Sequence, residues 1–266
     1  MISRNINFII PAAGLGSRFK NNGFDVPKPL IPIAGIPMIL WVIGNIPFRP
    51  GDTLTIITRG NIEIMKLWDD LAIRKPEWIK ECQILELTEG PAITVSHGLQ
   101  SLDLNLPLVV LNSDQFVDFD LTEYLNKLRN SDFELGSILT MYATEEKWSY
   151  VGRDDNGQIN RIVEKEVISD EATVGVYGWS KGFLFKKSLD WLQKIDLRVN
   201  GEFYVAPSYN YLIANKIPIE TYNLGKFPRR VYGLGTVPDY NEFLENKKLL
   251  NFREKIYRNL LEMNKK

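Results

Sequence analysis

The sequence predicts an α/β fold, a three-layer α/β/α arrangement around a doubly wound, mostly parallel mixed sheet. Three observations carry this. Short apolar, β-rich runs alternate with segments of helical spacing through the first half of the chain, and a glycine-bearing loop follows the first run. A carboxylate stands just past the fourth run, at the strand end where such a sheet binds its ligand. Strand and helix in alternation require crossover connections, which make neighbouring strands parallel and the crossovers right-handed.

The first expected strand is Phe8-Ile9-Ile10, too short and too apolar for anything but a buried strand. Further strands are expected at 54–58, 84–87 and 108–111, with helices at 36–46, 62–71 and 92–102 between them. From Leu135 the rhythm changes to longer strand-like pieces at 135–142, 158–164 and 172–179, with Asp155-Asn156-Gly157 as a turn. Helical pattern in the second half is confined to 182–192, 205–215 and 240–263, the last with an apolar stripe at Phe243, Leu249 and Leu250. That stripe packs on the chain's own core or on a second copy, so a homo-oligomer is one of two options. No linker, repeat or low-complexity tract interrupts the chain. The expected organisation is a single domain over 1–240, its part to about 134 binding a nucleotide and its part from about 135 binding an acceptor, followed by a helical segment at 241–266.

Thirty-two basic and 33 acidic residues leave a formal charge of −1 over 266 residues, which gives no electrostatic footprint for nucleic acid. Cys82 is the only cysteine, so an intrachain disulfide and a cysteine-based metal site are both excluded; its alternating surroundings read as a buried, inert thiol. No run of about 18 apolar residues suggests a membrane span, and no leader pattern opens the chain, so a cytoplasmic location is expected. The single histidine, His97, falls about two turns into an expected helix and off its apolar stripe, and reads as solvent-facing or structural.

The segment Pro11-Ala12-Ala13-Gly14-Leu15-Gly16-Ser17-Arg18-Phe19 has the composition of an anion cradle, because glycines let backbone N–H groups approach phosphate oxygens and a cation offsets their charge. It is neither of the common phosphate loops. Phe19 occupies the third glycine position of the dinucleotide fingerprint, and the Gly-Lys-Ser/Thr of a Walker loop is absent. A second basic element follows in Pro27-Lys28-Pro29-Leu30, and then Gly35-Ile36-Pro37-Met38-Ile39. At the far end of the 108–111 run, Asn112-Ser113-Asp114 places a carboxylate where Mg²⁺ is commonly held against nucleotide phosphates.

Taken jointly, these segments resemble the signature of the sugar-phosphate nucleotidylyltransferase (NTP transferase) superfamily, from about Phe8 to about Phe243. The resemblance implies the nucleotide-diphospho-sugar transferase-like variant of the fold. It implies that Ala12, Ala13, Gly14, Leu15, Gly16 and Ser17 wrap the nucleotide, and that Arg18 and Lys28 stabilise charge during attack on the α-phosphorus. Asp114 is implied as the ligand of a catalytic Mg²⁺, and Gly90 as a backbone contact to the base opposite Ala13. Trp148-Ser149-Tyr150, Ile162-Val163-Glu164-Lys165 and Val174-Gly175 resemble the acceptor side, with Glu164 on hydroxyls, Lys165 on the acceptor phosphate, and Tyr150 and Gly175 beside them. Glu202 and Tyr204, in Gly201-Glu202-Phe203-Tyr204, either line that pocket or cap and pack the following helix.

The chain departs from the pattern at one place. Many relatives carry a second metal-binding Asp two positions before a Gly-Thr pair near the end of the sheet, and here that position is Gly233, before Gly235-Thr236. Either Asp114 acts with phosphates and water, or Asp239 or Glu202 substitutes, or activity is weakened. The reaction implied joins an NTP to a phosphorylated sugar or small alcohol, without nucleic acid or membrane, and yields an NDP- or CDP-linked precursor for surface polysaccharide synthesis. Two other classes remain: a nucleotide-sugar-dependent glycosyltransferase, whose usual Asp-x-Asp is here Asn112-Ser113-Asp114, and a non-catalytic nucleotide sensor.

Overall fold

A computed structural model describes residues 3–60, 62, 64 and 66–265. Strand β1 (Asn7–Ala12) lies at the centre of the sheet and runs into helix α1 (Ser17–Lys20). A small antiparallel ladder of β2 (Pro32–Ile33) and β3 (Ile36–Pro37) leads into α2 (Met38–Ile43). Strand β4 (Thr53–Arg59), helix α3 (Lys66–Asp70), strand β5 (Ile79–Ile84), helix α4 (Pro91–Leu99) and strand β6 (Leu108–Leu111) complete the wound half. β4 and β6 flank β1 and β5 lies outside β4, all four strands parallel. The winding direction therefore reverses between β4 and β6, and ligands of such sheets bind at the carboxyl ends beside that reversal.

The second half continues the same sheet. After β7 (Gln115–Val117) and α5 (Thr122–Asn130) come β8 (Gly136–Tyr142), β9 (Ser149–Arg153), β10 (Ile159–Glu164) and β11 (Glu171–Trp179). Helices α6 (Gly182–Lys194) and α7 (Asn210–Ala214) precede β12 (Ile219–Lys226) and β13 (Val231–Gly233), and α8 (Val237–Leu244) and α9 (Leu249–Glu262) close the chain. β11 joins the halves. It runs antiparallel to β6, β8 and β9, and its register with β8 shifts between Thr173 and Tyr177. Through Val176–Trp179 it pairs with β6, and through Ala172 it pairs with β9, so the sheet divides where β6 ends and the β9–β10 hairpin begins.

Both faces of the sheet are covered, as the apolar runs require. Alternate residues separate cleanly: Phe8, Ile10, Val109 and Leu111 pack with α2, α5 and α9, whereas Ile9, Leu108 and Val110 pack with α4 and α6. This is the expected mixed, three-layer α/β/α fold. Among the described residues no helix is long and apolar enough to cross a membrane.

Several boundaries differ from expectation. The strand expected at 84–87 ends at Ile84, because its only neighbour ends there in the pair Arg59↔Ile84; Leu85 beyond it is 91% exposed. The helix expected at 62–71 is described only at Lys66–Asp70; residues 63 and 65 of that stretch lie outside the described residues. The expected 240–263 helix is two helices, broken between Glu245 and Lys248. Its buried stripe is Leu249, Phe252, Ile256 and Leu260, while Leu250 is exposed. That stripe is covered by the chain itself: Ile256 lies against Gly44, and Asn259 Nδ2 donates to the Gly44 carbonyl at 2.8 Å. Cys82 sits on edge strand β5 and is half-buried, and burial raises its thiol pKa above the ordinary value.

One buried ion pair ties the residue before β4 to α5. Asp52 accepts from Arg129 Nη1 at 2.7 Å and Nη2 at 2.5 Å, and also from the backbone N–H groups of Ile6 and Arg49. Both side chains are almost wholly buried, 0% and 2% exposed. Removing one partner of such a pair strands the other charge. Asp52→Ala should therefore cost roughly 3–5 kcal/mol of unfolding free energy, read from urea denaturation, and a loss under about 1 kcal/mol would mean the pair is dispensable.

Candidate active site

At the reversal point a cleft of about 450 Å³ opens above the carboxyl ends of β1 and β6. Its first wall is the loop after β1. Gly16 turns the chain through a left-handed conformation (φ 62°), and a Cβ there would lie 3.1 Å from the Lys28 Cβ, so the glycine also lets the Lys28 turn press against the loop. Arg59, on β4, donates from Nε to the Ala13 carbonyl at 3.1 Å and fixes the loop from behind. Arg18 is exposed at the rim, close enough to Tyr204 for its charge to act on that phenol.

Lys28 and Asp114 meet on the cleft floor, where Lys28 Nζ donates to Asp114 Oδ2. The two groups come from segments 86 residues apart, each about one-quarter exposed. The strand end carrying Asp114 is held by β13: the Leu234 N–H donates to the Asp114 carbonyl at 2.8 Å. Gly235 then clears the space beside the carboxylate, since a Cβ there would lie 2.6 Å from Asp114 Oδ2.

The opposite wall comes from the second half. Glu164 ends β10 and accepts a hydrogen bond from the Ser149 hydroxyl. Burial pushes its carboxyl above the usual carboxylate range, and nearby Glu202 adds to this, against the pull of Ser149 and Lys165. Gly175 stands at the register shift of β11 with φ 64°, and a Cβ would overlap the side chains of Gln115 and Asn112. Tyr204 faces the cleft with its phenol pKa raised, by burial first and then by Glu202.

Of the residues expected at the site, Ala12, Ala13, Gly14, Leu15, Gly16, Ser17, Arg18, Lys28, Gly90, Asp114, Glu164, Gly175 and Glu202 line this one cleft. Gly90 has a structural reason to be glycine. A Cβ would come within 2.6 Å of the Phe203 carbonyl, and the backbones of Glu89 and Phe203 are bonded at 2.7 Å, which docks the second half onto the first. Two expected residues do not line it. Tyr150 is fully buried, its hydroxyl donates to the Glu145 carbonyl at 2.8 Å, and burial pushes its pKa up to about 12. Lys165 sits at the edge: its backbone is left-handed (φ 58°), and its ammonium donates to the Tyr204 hydroxyl. His97 lies exposed on α4, away from the cleft.

The cleft also holds Lys147, which local sequence did not single out, beside Asp239, which was expected only as one substitute for the missing carboxylate. Lys147 Nζ is 2.8 Å from Asp239 Oδ1, and both line the cavity. Arg59, which supports the loop without lining the cleft, is also unsignalled, because nothing in its own stretch points to a contact with a loop 46 residues earlier.

The donor chemistry suits Mg²⁺, a hard cation that prefers oxygen ligands and retains water. Among the described residues no group of three His, Cys, Asp or Glu side chains is placed to hold a metal. Asp114, which lines the cleft and is partly exposed, would offer such a cation one carboxylate, the remaining ligands coming from substrate and solvent.

Comparison with known proteins agrees with this architecture. The sequence model of the nucleotidyl transferase family matches residues 7–197, and the chain belongs to that family. The bifunctional protein GlmU of Xylella fastidiosa (strain M12) is 24% identical over 239 residues, covering 88% of this chain and 49% of that protein. GlmU of Cupriavidus necator is 26% identical over 222 residues, covering 80% and 45%. The chain thus spans about half the length of these curated relatives. Among solved structures, a nucleoside-diphosphate-sugar pyrophosphorylase from Vibrio cholerae RC9 superposes with a TM-score of 0.73 at 23% identity, covering 90% of this chain and all of that one. The inositol-1-phosphate CTP transferase of T. maritima does so at 0.67 and 13% identity, covering 94% and 95%. At these identities the two structures share the fold.

The raised Glu164 pKa gives a stability signature. Its neutral form is favoured on folding, so its contribution is fully present below the ordinary glutamate pKa and is lost as pH rises through the folded value. Glu164→Gln should therefore have a higher Tm than the parent at pH 7.5, with the gap closing below about pH 4. A pH-independent gap would show that burial does not set this carboxyl's ionisation.

Proposed function

We propose that this chain is a nucleotidylyltransferase that joins an NTP to a phosphorylated sugar or small phosphorylated alcohol. It would release pyrophosphate and an NDP- or CDP-linked precursor of the kind used in surface polysaccharide synthesis. The observation that carries the reading is the two-sided cleft, with the glycine loop and Arg18 on one wall, Lys28 and Asp114 on the floor, and Glu164, Gly175, Glu202 and Tyr204 on the other wall. The family match and the reactions named for the similar proteins support the same class of chemistry.

In this reading an oxygen of the acceptor phosphate attacks the α-phosphorus. The bond to the α,β-bridging oxygen breaks, and its electron pair leaves with pyrophosphate. A phosphate ionised near neutral pH already presents the nucleophilic oxygen, so no residue has to remove a proton. The chain's task is alignment and charge neutralisation. The loop at 12–17 positions the triphosphate. Arg18 and Lys28 meet charge on the α and leaving phosphates. Glu164 accepts from acceptor hydroxyls, and Lys165, swinging from Tyr204, neutralises the acceptor phosphate. Asp114 would hold Mg²⁺, which when bound would supply further positive charge to the phosphates.

A matrix of NTPs against phosphorylated acceptors, read by pyrophosphate release, tests this directly. One productive pair supports it; nucleotide binding with no pyrophosphate from any pair would favour a sensor instead. With a productive pair in hand, Asp114→Asn keeps the shape and removes the charge, so turnover should fall about a hundredfold or more in a folded protein. Arg18→Ala should lower both kcat and kcat/KM, by the equivalent of roughly 2–4 kcal/mol, with Arg18→Lys recovering only part because an ammonium lacks the planar fork. A change in the KM for NTP alone would make Arg18 a binding contact.

A further inference from the structure

Gly233 stands where a second metal carboxylate would be sought, yet the space beside it is not vacant. A Cβ at Gly233 would lie 3.4 Å from Asp239 Oδ2 and 3.5 Å from the Trp148 ring. Asp239 comes from the first turn of α8, six residues later in sequence, and its carboxylate lies at ordinary contact distance from where a side chain at 233 would begin. At Gly235 the approach is closer, and a Cβ would lie 2.6 Å from Asp114 Oδ2. Positions 233 and 235 are two residues apart on a chain leaving a strand, about 7 Å if extended. The two carboxylates therefore flank one short glycine-bearing segment, and both face the cleft.

A local explanation for Asp239 exists and is incomplete. Thr236 caps α8: its hydroxyl accepts from the Asp239 N–H at 3.3 Å and donates to Asp239 Oδ2 at 2.7 Å. This cap needs one carbonyl-type oxygen and no charge, so Asn would serve. The other oxygen, Oδ1, is turned to Lys147 at 2.8 Å. Lys147 is held in place over Trp148 and Phe227, with its ammonium 5.0 and 5.2 Å from the two ring centres. The floor of the cleft thus carries two Asp–Lys pairs, Asp114 with Lys28 and Asp239 with Lys147.

We infer that Asp239 is the second metal-side carboxylate of this chain, supplied from α8 in place of a residue at 233, and that Lys147 occupies it as a counter-cation until a divalent ion takes its place. The inference deepens the nucleotidyl-transfer reading and rests on it for the presence of a metal. An ammonium and a divalent cation compete for the same oxygen, so the free protein holds metal weakly. Removing Lys147 removes the competitor, and removing the Asp239 charge removes the ligand.

The test needs no nucleotide. Free Mn²⁺ is measured by electron paramagnetic resonance during titration of the intact chain, its Lys147→Met and Asp239→Asn variants, and the double variant. Met keeps the stem against Trp148 and Phe227, and Asn keeps the cap on α8, so both variants should retain the parent's circular dichroism and Tm within a few degrees. The expected result is Mn²⁺ binding about tenfold tighter in Lys147→Met, from loss of a like charge at close range, and about tenfold weaker in Asp239→Asn. The double variant should resemble Asp239→Asn, since the gain from losing Lys147 requires the carboxylate. Unchanged Mn²⁺ affinity in folded Asp239→Asn, or a Lys147→Met gain that survives in the double variant, would overturn the assignment and leave Asp239 as a helix cap. The two readings fail separately. Pyrophosphate release with metal binding indifferent to Asp239 would sink this inference alone, whereas the expected Mn²⁺ pattern in a protein that turns over no NTP would sink the transfer reaction alone.

Discussion

The contact between Lys28 and Asp114 is the constraint on which the site depends. It joins a turn that follows the first strand to the end of β6, and it lies under a loop whose own conformation relies on Gly16 leaving room for Lys28. It also fixes the order of charge in the cleft. An ammonium and a carboxylate at the floor, each partly exposed, are matched to one another in the free protein, and in the proposed reaction they would be released to a polyanion and its cation. Pairs at this exposure contribute little to folding, so the arrangement is better understood as positioning chemistry than as holding the chain together. The latter falls to the two apolar layers and to the buried Asp52–Arg129 pair.

Around that contact the fold uses glycines to bring separate segments within reach. Gly90 lets the Phe203 backbone dock on the first half, Gly175 lets the side chains of Asn112 and Gln115 lie against the bent β11, and Gly235 makes room for the Asp114 carboxylate. The divided sheet is the second device. Because β11 leaves β6 for β9 at its register shift, the wall that carries Glu164 is built on strands continuous with those that carry the glycine loop and Asp114. The two sides of the cleft are thereby held by a common backbone, which is what alignment of two substrates for displacement requires.

Much of this was legible in the sequence where the signal was local. The loop after β1, the Lys28 turn and the carboxylate after β6 each announce themselves within a few residues, and the alternation of short apolar runs gives the doubly wound half directly. The second half was legible only in part. β9 and β12 carry mixed polar and apolar residues that give no clean strand pattern, and β12 in addition pairs with β8, about 80 residues earlier in the chain. Tyr150 sits within the expected acceptor motif but points into the core, since strand alternation at β9 places its neighbour Ser149, and not Tyr150, toward Glu164. The partnership of Lys147 with Asp239 spans 92 residues and has no local signature at all. The stripe at Leu249 and Leu250 failed for a simpler reason: two adjacent leucines cannot share one helical face, and the register set by Phe252 and Ile256 buries the first of them.

The central claim is that the chain brings two substrates together for direct displacement at phosphorus with no covalent intermediate on the protein. It is tested most directly by the stereochemistry of one turnover. An NTP chiral at a thio-substituted α-phosphorus would be converted with its productive acceptor, and the configuration of the product determined by ³¹P nuclear magnetic resonance. A single in-line attack by the acceptor phosphate predicts inversion with release of pyrophosphate. Retention of configuration would contradict the account, because it requires two successive displacements and a residue of the chain bonded to the nucleotide between them.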